Sequence, residues 1–521
     1  MVGNAPPGIL VPALIVGAAL LLPPVYLLVR SLGGGGELWD LLFRAKVAAI
    51  LGRTMLLVVA VTAGSVALAL PLAWLTARTD LPLRRMWAVL VSLPLVIPSY
   101  VAGFVVVVAL GPRGMLQGAL EGPFGVERLP SIYGFAGAML TLTFLSYPYV
   151  LLTVRAALQR IDPALEESAR GLGLGPAATF FRVVAPLLRP ALGAGALLVG
   201  LYTLSDFGAV SLLRYETFTW AIFSQYESSL DRTLGAGLSL ALVALALAWV
   251  ALEFVSRGRS RYYSTSSGTT RPAQTVRLGK WRWPSVALCA SVTGLGLGLP
   301  VGILVYWVVR GVAAGESLDP LWEAARNSLY ISALAALAAI LAALPVGLLS
   351  VRHPGLLSGM LERLGYISFA LPGIAIALAL VFFGANYAGF LYQTIGLLLL
   401  GYVALFLSPA LGAVRATLLQ MNPRVEEAAR GLGRSPLGAF ASVTLPAARP
   451  GIIAGASLVF LLTMKELPAT LILSPTGFTT LATSVWSFTS EAFFARAAMP
   501  SLLLIFLSGV PLALLMLQER R

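Results

Sequence analysis

One cysteine and one histidine occur in 521 residues, and charged side chains make up only 11%. A lone cysteine excludes an internal disulfide, and without a Cys or His pair at ligand spacing a structural zinc site is excluded too. Cys289 falls in an apolar run, where packing is its expected role. No G-x-x-x-x-G-K-[ST] segment occurs, so the chain has no phosphate-cradling loop of its own. The glycine clusters Gly171 to Gly175 and Gly294 to Gly298 sit in a polar loop and an apolar run, contexts that exclude a dinucleotide fingerprint. His353, beside Arg352 and Pro354, reads as a solvated turn residue rather than a ligand. No convincing polar catalytic set lies within the apolar runs. These absences predict a chain that is no enzyme and binds no cofactor.

What is abundant is apolar surface: 58% of residues are hydrophobic, and the mean hydropathy of +0.88 lies outside the range of soluble domains. Apolar runs long enough to span a bilayer as helices cover residues 9–29, 54–77, 87–110, 132–154, 190–213 and 233–255, then 284–309, 327–350, 364–384, 392–414, 450–473 and 497–517. Their continuity favours helices over the short alternating strands of a barrel. The first run lacks a basic flank and is too long for a secretory core, so it reads as a retained helix.

With twelve spans and both termini in the cytoplasm, the cytoplasmic segments hold 24 of the 36 Lys and Arg and 9 of the 22 acids, a net +15. The outer segments, with Asp206, Lys465 and Glu466 near the outer ends of their spans counted to them, hold the other 12 and 13, a net −1. This is the positive-inside pattern, so the overall +14 reports topology and contact with the lipid bilayer rather than nucleic acid. Arg30, Arg44 and Lys46 run against the pattern beside the first helix, and the summed bias outweighs them.

Residues 166–190 and 426–450 repeat one another at an offset of 260: Glu167 falls on Glu427, Gly173 on Gly433, Pro186 on Pro446. Each copy carries six spans, an even number, so both enter the membrane in the same orientation. The expected fold is an all-α integral membrane protein, twelve transmembrane helices in two parallel six-helix repeats, with units 1–256 and 284–521. A Ser-, Thr- and Arg-rich cytoplasmic linker, 257–283, joins them. The tetraglycine from Gly33 to Gly36 reads as a flexible external turn.

Between the fourth and fifth spans of each copy, Asp162-Pro163 and Asn422-Pro423 supply a cap and a first-turn proline. Glu166 and Glu167, or Glu426 and Glu427, then sit where acids suit the helix dipole, and Arg-Gly-Leu-Gly stops the helix. A short exposed cytoplasmic helix is predicted twice. Its acids are either caps of a surface helix or part of a docking surface, and their double occurrence favours docking.

These loops resemble the EAA loop of the permeases of binding-protein-dependent ABC importers. Glu167-Ser168-Ala169, Gly173 and Val183-Val184-Ala185-Pro186 fit its spacing, as do Glu427-Ala428-Ala429, Gly433 and Val443-Thr444-Leu445-Pro446. The resemblance implies the type I ABC importer permease fold in a bacterial inner membrane. It assigns Glu167, Ala169, Gly173, Pro186, Glu427, Ala429, Gly433 and Pro446 to docking of two ATP-binding cassette subunits. Those partners would hold ATP and Mg, and a periplasmic solute-binding protein would deliver the solute. Ser168 for Ala, and Val or Ala for Ile and Leu, are mild departures.

Asp206-Phe207-Gly208 and Glu466-Leu467-Pro468, at the end of the fifth span in each copy, are similar to elements of ferric-ion import permeases. That resemblance implies iron as the solute, with thiamine, sulfate and polyamine permeases sharing the fold. Asp206 and Glu466 coincide under the 260 offset, and two readings stay open. Either they pair with a neighbour such as Lys465 or cap helix ends, or they offer hard oxygen ligands along the pathway, with Tyr202, Tyr215 and Tyr226 nearby. An ion-coupled secondary transporter is the alternative class, and the loops weigh against it.

Overall fold

The computed structural model describes residues 6–33, 40, 43–228, 233–256, 275–317, 319–368 and 371–518. Among them the chain is all helical, and its single β-type feature is an isolated bridge between Thr79 and Val276. Ten described helices are long and apolar enough to cross a membrane: Pro7–Gly33, Ala45–Arg78, Ser99–Phe124, Phe135–Arg160, Pro176–Ser205, Leu234–Leu252, Gly279–Ala313, Leu321–Arg352, Ile395–Gln420 and Pro436–Met464. The shorter apolar helix Gly373–Tyr387 lies where the ninth run was expected, and the 25-residue helix Phe494–Gln518 where the twelfth was. Each of the twelve runs thus overlaps a described helix, the ninth a shortened one.

Proline explains the shortening. Where residues 87–110 were expected to be continuous, the chain forms Arg84–Leu90, a 3-10 turn Leu93–Val96, and then Ser99–Leu110. Pro98 forces Ile97 out of the helical region, at ψ 123°, and itself stands extended at ψ 149°. Pro372, ψ 135°, does the same ahead of Gly373–Tyr387. Three wide π turns, Phe180–Val184, Gly294–Gly298 and Phe440–Thr444, each end two residues before a proline: Pro186, Pro300 and Pro446. A proline has no N–H and crowds the carbonyl four residues back, so widening the preceding turn lets the helix continue.

The repeat is visible in the helices but not uniform. Phe135–Arg160 and Ile395–Gln420 keep the 260 offset, whereas Ala45–Arg78 ends 274 residues before Asp319–Arg352 does. The difference of 14 lies between them, where the first copy inserts the helix Met115–Phe124.

Packing divides the chain into two compact units that do not coincide with the sequence halves 1–256 and 284–521. One comprises Met1–Arg44, Ala221–Val243 and Gly311–Arg521, the other Ala45–Trp220 and Ala244–Arg310. The opening helix of each half therefore belongs with the body of the other half. In the first unit, Tyr26 meets Phe383 and Tyr387 edge-on at 6.4 and 6.2 Å. Gly17 lets Pro7–Gly33 lie close against Leu361. In the second unit, Cys289 and Val292 join a core with Leu57, Leu142, Tyr147 and Leu188, which bears out a packing role for the cysteine. Hydropathy could not show this exchange, since it specifies an apolar face without specifying its partner. Of the linker, 257–274 lie outside the described residues, as do Gly34 to Gly36.

Within lipid, helices associate through close packing rather than expulsion of water, so small residues mark their contacts. Gly195 is such a contact: a Cβ there would lie 2.8 Å from the Val150 Cα. Its repeat mate Gly455 is less tight, 3.3 Å from the Ala410 Cα. Gly195→Ala should destabilise its unit by about 1–3 kcal/mol, and Gly455→Ala by less. Thermal unfolding of the purified variants in detergent checks that order.

Candidate coupling loops and membrane carboxylates

The two exposed loop helices form where the sequence predicts them, at Pro163–Gly171 and Pro423–Gly431. Asp162 accepts from the Ala164 N–H at 3.0 Å and Asn422 from the Arg424 N–H at 3.1 Å, capping donors that would otherwise be unpaired. Both helices end alike. Gly173 donates to the Arg170 carbonyl and Leu174 to that of Ala169, while Gly433 and Arg434 donate to Arg430 and Ala429. Gly173 and Gly433 stand at φ 87°, the left-handed conformation this ending requires and a side chain resists.

Glu167 and Glu427 are exposed, as expected of a docking surface. Ala169 is buried and Ala429 half-buried, on the face turned to the protein. Pro186 and Pro446 begin the exit helices just after their π turns. Sequence reading gave no separate role to Glu166 and Glu426, and these carry the attachment. Glu166 pairs with Arg78, the last residue of Ala45–Arg78, at 2.7 Å. Glu426 lies 3.7 Å from Arg352, the last residue of Asp319–Arg352. The helical period was the available signal: Glu166 and Ala169, three apart, share one face, and Glu167 and Arg170 share the next. Beside the acids, each loop offers an exposed apolar knob, Leu172 at 85% and Leu432 at 87% exposure, suited to burial by a partner.

Asp206 and Glu466 each occupy the break after a long helix. The Asp206 carboxylate accepts from the N–H groups of Ala209 and Val210 at 3.1 and 3.3 Å, and its carbonyl from the Thr219 hydroxyl at 2.6 Å. Glu466 accepts from the Ala469 N–H at 3.0 Å, and its carbonyl from Thr470 at 2.7 Å. The capping role is thus realised at both. Tyr202, one turn before Asp206, packs its ring on Tyr149 at 5.7 Å. Tyr215 is engaged elsewhere, donating to the Arg53 carbonyl at 3.0 Å. Among the described residues, no three His, Cys, Asp or Glu side chains cluster as a metal site would require.

Comparison with known proteins places these features in context. Residues 69–313 and 335–521 match the family described as binding-protein-dependent transport system inner membrane component. The Fe(3+)-transport system permease protein FbpB 2 of Haemophilus influenzae is 38% identical over 508 residues, 96% of each chain. The ferric transport system permease protein FbpB of Actinobacillus pleuropneumoniae is 24% identical over 402 residues, 72% of this chain and 57% of that protein. The molybdenum transport system permease protein ModB of Escherichia coli K12 is 32% identical over 181 residues, which is 34% of this chain but 78% of that protein. Most of that relative thus corresponds to less than one half of this chain.

Replacing Gly173 or Gly433 by alanine keeps the charge pattern and strains the loop. Each change should cost about 1 kcal/mol at the helix end. Hydrogen exchange should accelerate at residues 172–174 or 432–434 of the altered loop, and leave the other loop as it was.

Proposed function

Since the chain belongs to the family of binding-protein-dependent transport system inner membrane components, we propose that it is the permease of an ATP-driven importer of ferric iron. The observation that carries the substrate is the identity of 38%, along 96% of both chains, with an Fe(3+)-transport permease. The ten long helices are read together with Gly373–Tyr387 and Phe494–Gln518 as twelve spans, and the positive-inside charge distribution supports both termini in the cytoplasm. A periplasmic binding protein delivers the ion, and two ATPase subunits holding ATP and Mg dock on the helices Pro163–Gly171 and Pro423–Gly431. Hydrolysis is theirs, since the chain carries no phosphate-binding loop.

Reconstitution with the ATPase and the binding protein tests this reading. ATP-dependent uptake of radiolabelled ferric iron into proteoliposomes is the expected result. Uptake of molybdate without iron would overturn the substrate, and ATP hydrolysis by the chain alone would overturn the division of labour. Within that assay, replacing Glu167 and Glu427 together by Lys should weaken retention of the ATPase on an affinity-tagged chain by about tenfold or more, because charge is reversed at the contact. Each single change should be milder.

Asp206 and Glu466 are proposed to serve the ion's pathway as well as their caps, since carboxylates at membrane depth are costly and offer hard oxygen ligands. Tyr202 is proposed as a further pathway residue. Asparagine and glutamine still accept the capping hydrogen bonds while carrying no charge, so Asp206→Asn with Glu466→Gln separates the two roles. Iron uptake should be abolished with membrane insertion and ATPase retention preserved. Full uptake by that double variant would return both acids to capping alone.

A further inference from the structure

Glu166 and Glu426 hold equivalent places in the repeat, yet they are attached differently. The Glu166 carboxylate meets the Arg78 Nη2 at 2.7 Å, with the two side chains only 11% and 3% exposed. That is the distance of a charge-assisted hydrogen bond shielded from water. Arg78 is fixed in turn at its backbone, where its carbonyl accepts from the Val276 N–H at 2.8 Å. In the other loop, Glu426 stands 3.7 Å from Arg352, beyond hydrogen-bond reach, and the side chains are 28% and 15% exposed. The Nε and Nη2 of Arg352 are buried without a hydrogen-bond partner. The same Glu426 Oε2 accepts instead from the Thr444 hydroxyl at 2.9 Å.

One residue beside the two glutamates differs between the copies in a way that matches this. Thr444 closes the π turn Phe440–Thr444, and its repeat mate Val184 closes Phe180–Val184, both 1% exposed. Threonine offers a donor to the glutamate and valine offers none. Where the donor is present, the carboxylate turns to its own exit helix. Where it is missing, the carboxylate goes to the arginine that ends the long preceding span.

We propose that the choice of valine or threonine at positions 184 and 444 sets how firmly each loop helix is bound to its long span, so that the two sites couple ATP hydrolysis to transport unequally. Arg78, Glu166 and Thr444 are positioning residues for that coupling. The proposal rests on the reading that ATPase subunits dock on these helices. A tightly bound helix passes the motion of its ATPase to Ala45–Arg78, whereas the other passes it first to the exit helix Pro436–Met464.

The test uses the complete complex in proteoliposomes and reads iron imported per ATP hydrolysed. Glu166→Gln should lower that ratio by about tenfold and Glu426→Gln by only about twofold, because the first breaks a close, shielded, hydrogen-bonded ion pair and the second a longer, more exposed one with no hydrogen bond. Thr444→Val is nearly isosteric and should hand Glu426 back to Arg352. In that background, Glu426→Gln should therefore become as damaging as Glu166→Gln. Val184→Thr should correspondingly soften Glu166→Gln. Equal losses in the two single glutamine variants, or a Glu426→Gln effect that Thr444→Val does not change, would overturn the proposal. ATPase retention on the wild-type chain is measured first: without it the docking reading fails, and the inference falls with it. Retention with equal losses sinks the inference alone.

Discussion

A bilayer core holds no water to satisfy a peptide group, so every amide the chain carries into it must find a partner within the protein. Ordinary helical turns meet that demand, and the informative places are those where they stop. Pro186, Pro300 and Pro446 each remove a donor, and a widened π turn two residues earlier keeps the helix intact. Beyond Ser205 and Met464 the helix does end, and there Asp206 and Glu466 supply the acceptors for the amides of the next short helix. The acids Asp206 and Glu466 stand at such interruptions, where the freed amides need acceptors.

Both halves carry the same interruptions, and at one of them two contacting positions differ together. Ser99 and Gly373 begin equivalent helices after Pro98 and Pro372. The serine hydrogen-bonds the shorter acid, Asp206, whereas a side chain at Gly373 would start 3.0 Å from the carboxylate of the longer acid, Glu466. Length lost on one side of the contact is recovered on the other. The 14-residue insertion that carries Met115–Phe124 falls between helices of the first half and leaves the loop register after it unchanged.

Much of this was legible in the sequence because it depends on local pattern. Run length located most of the spans, the 260 offset revealed the repeat, and the cap residues fixed the start of each loop helix while Arg-Gly-Leu-Gly marked its end. The family model and the relatives agree with the importer family that the EAA spacing suggested. The third and ninth runs came out broken because hydropathy averages over Pro98 and Pro372, which interrupt a helix without lowering its apolar content. Glu167 drew notice by matching a motif, while the attachment through Glu166 depends on Arg78, 88 residues away, and no local pattern connects such positions. Nor does an apolar stripe name the helix it will meet, which is why the exchanged opening helices were invisible.

That exchange orders the chain's assembly in time. Pro7–Gly33 is made before the helices it packs against, which begin at Asp319. At roughly 5–20 residues per second, the opening helix waits about 15–60 s in the membrane before its partners emerge from the ribosome. Over that interval lipid or the insertion machinery must cover the face that Tyr26 later presents to Phe383. Two separate half-chains would face the same wait with a search by diffusion added, and the covalent join confines that search to one molecule.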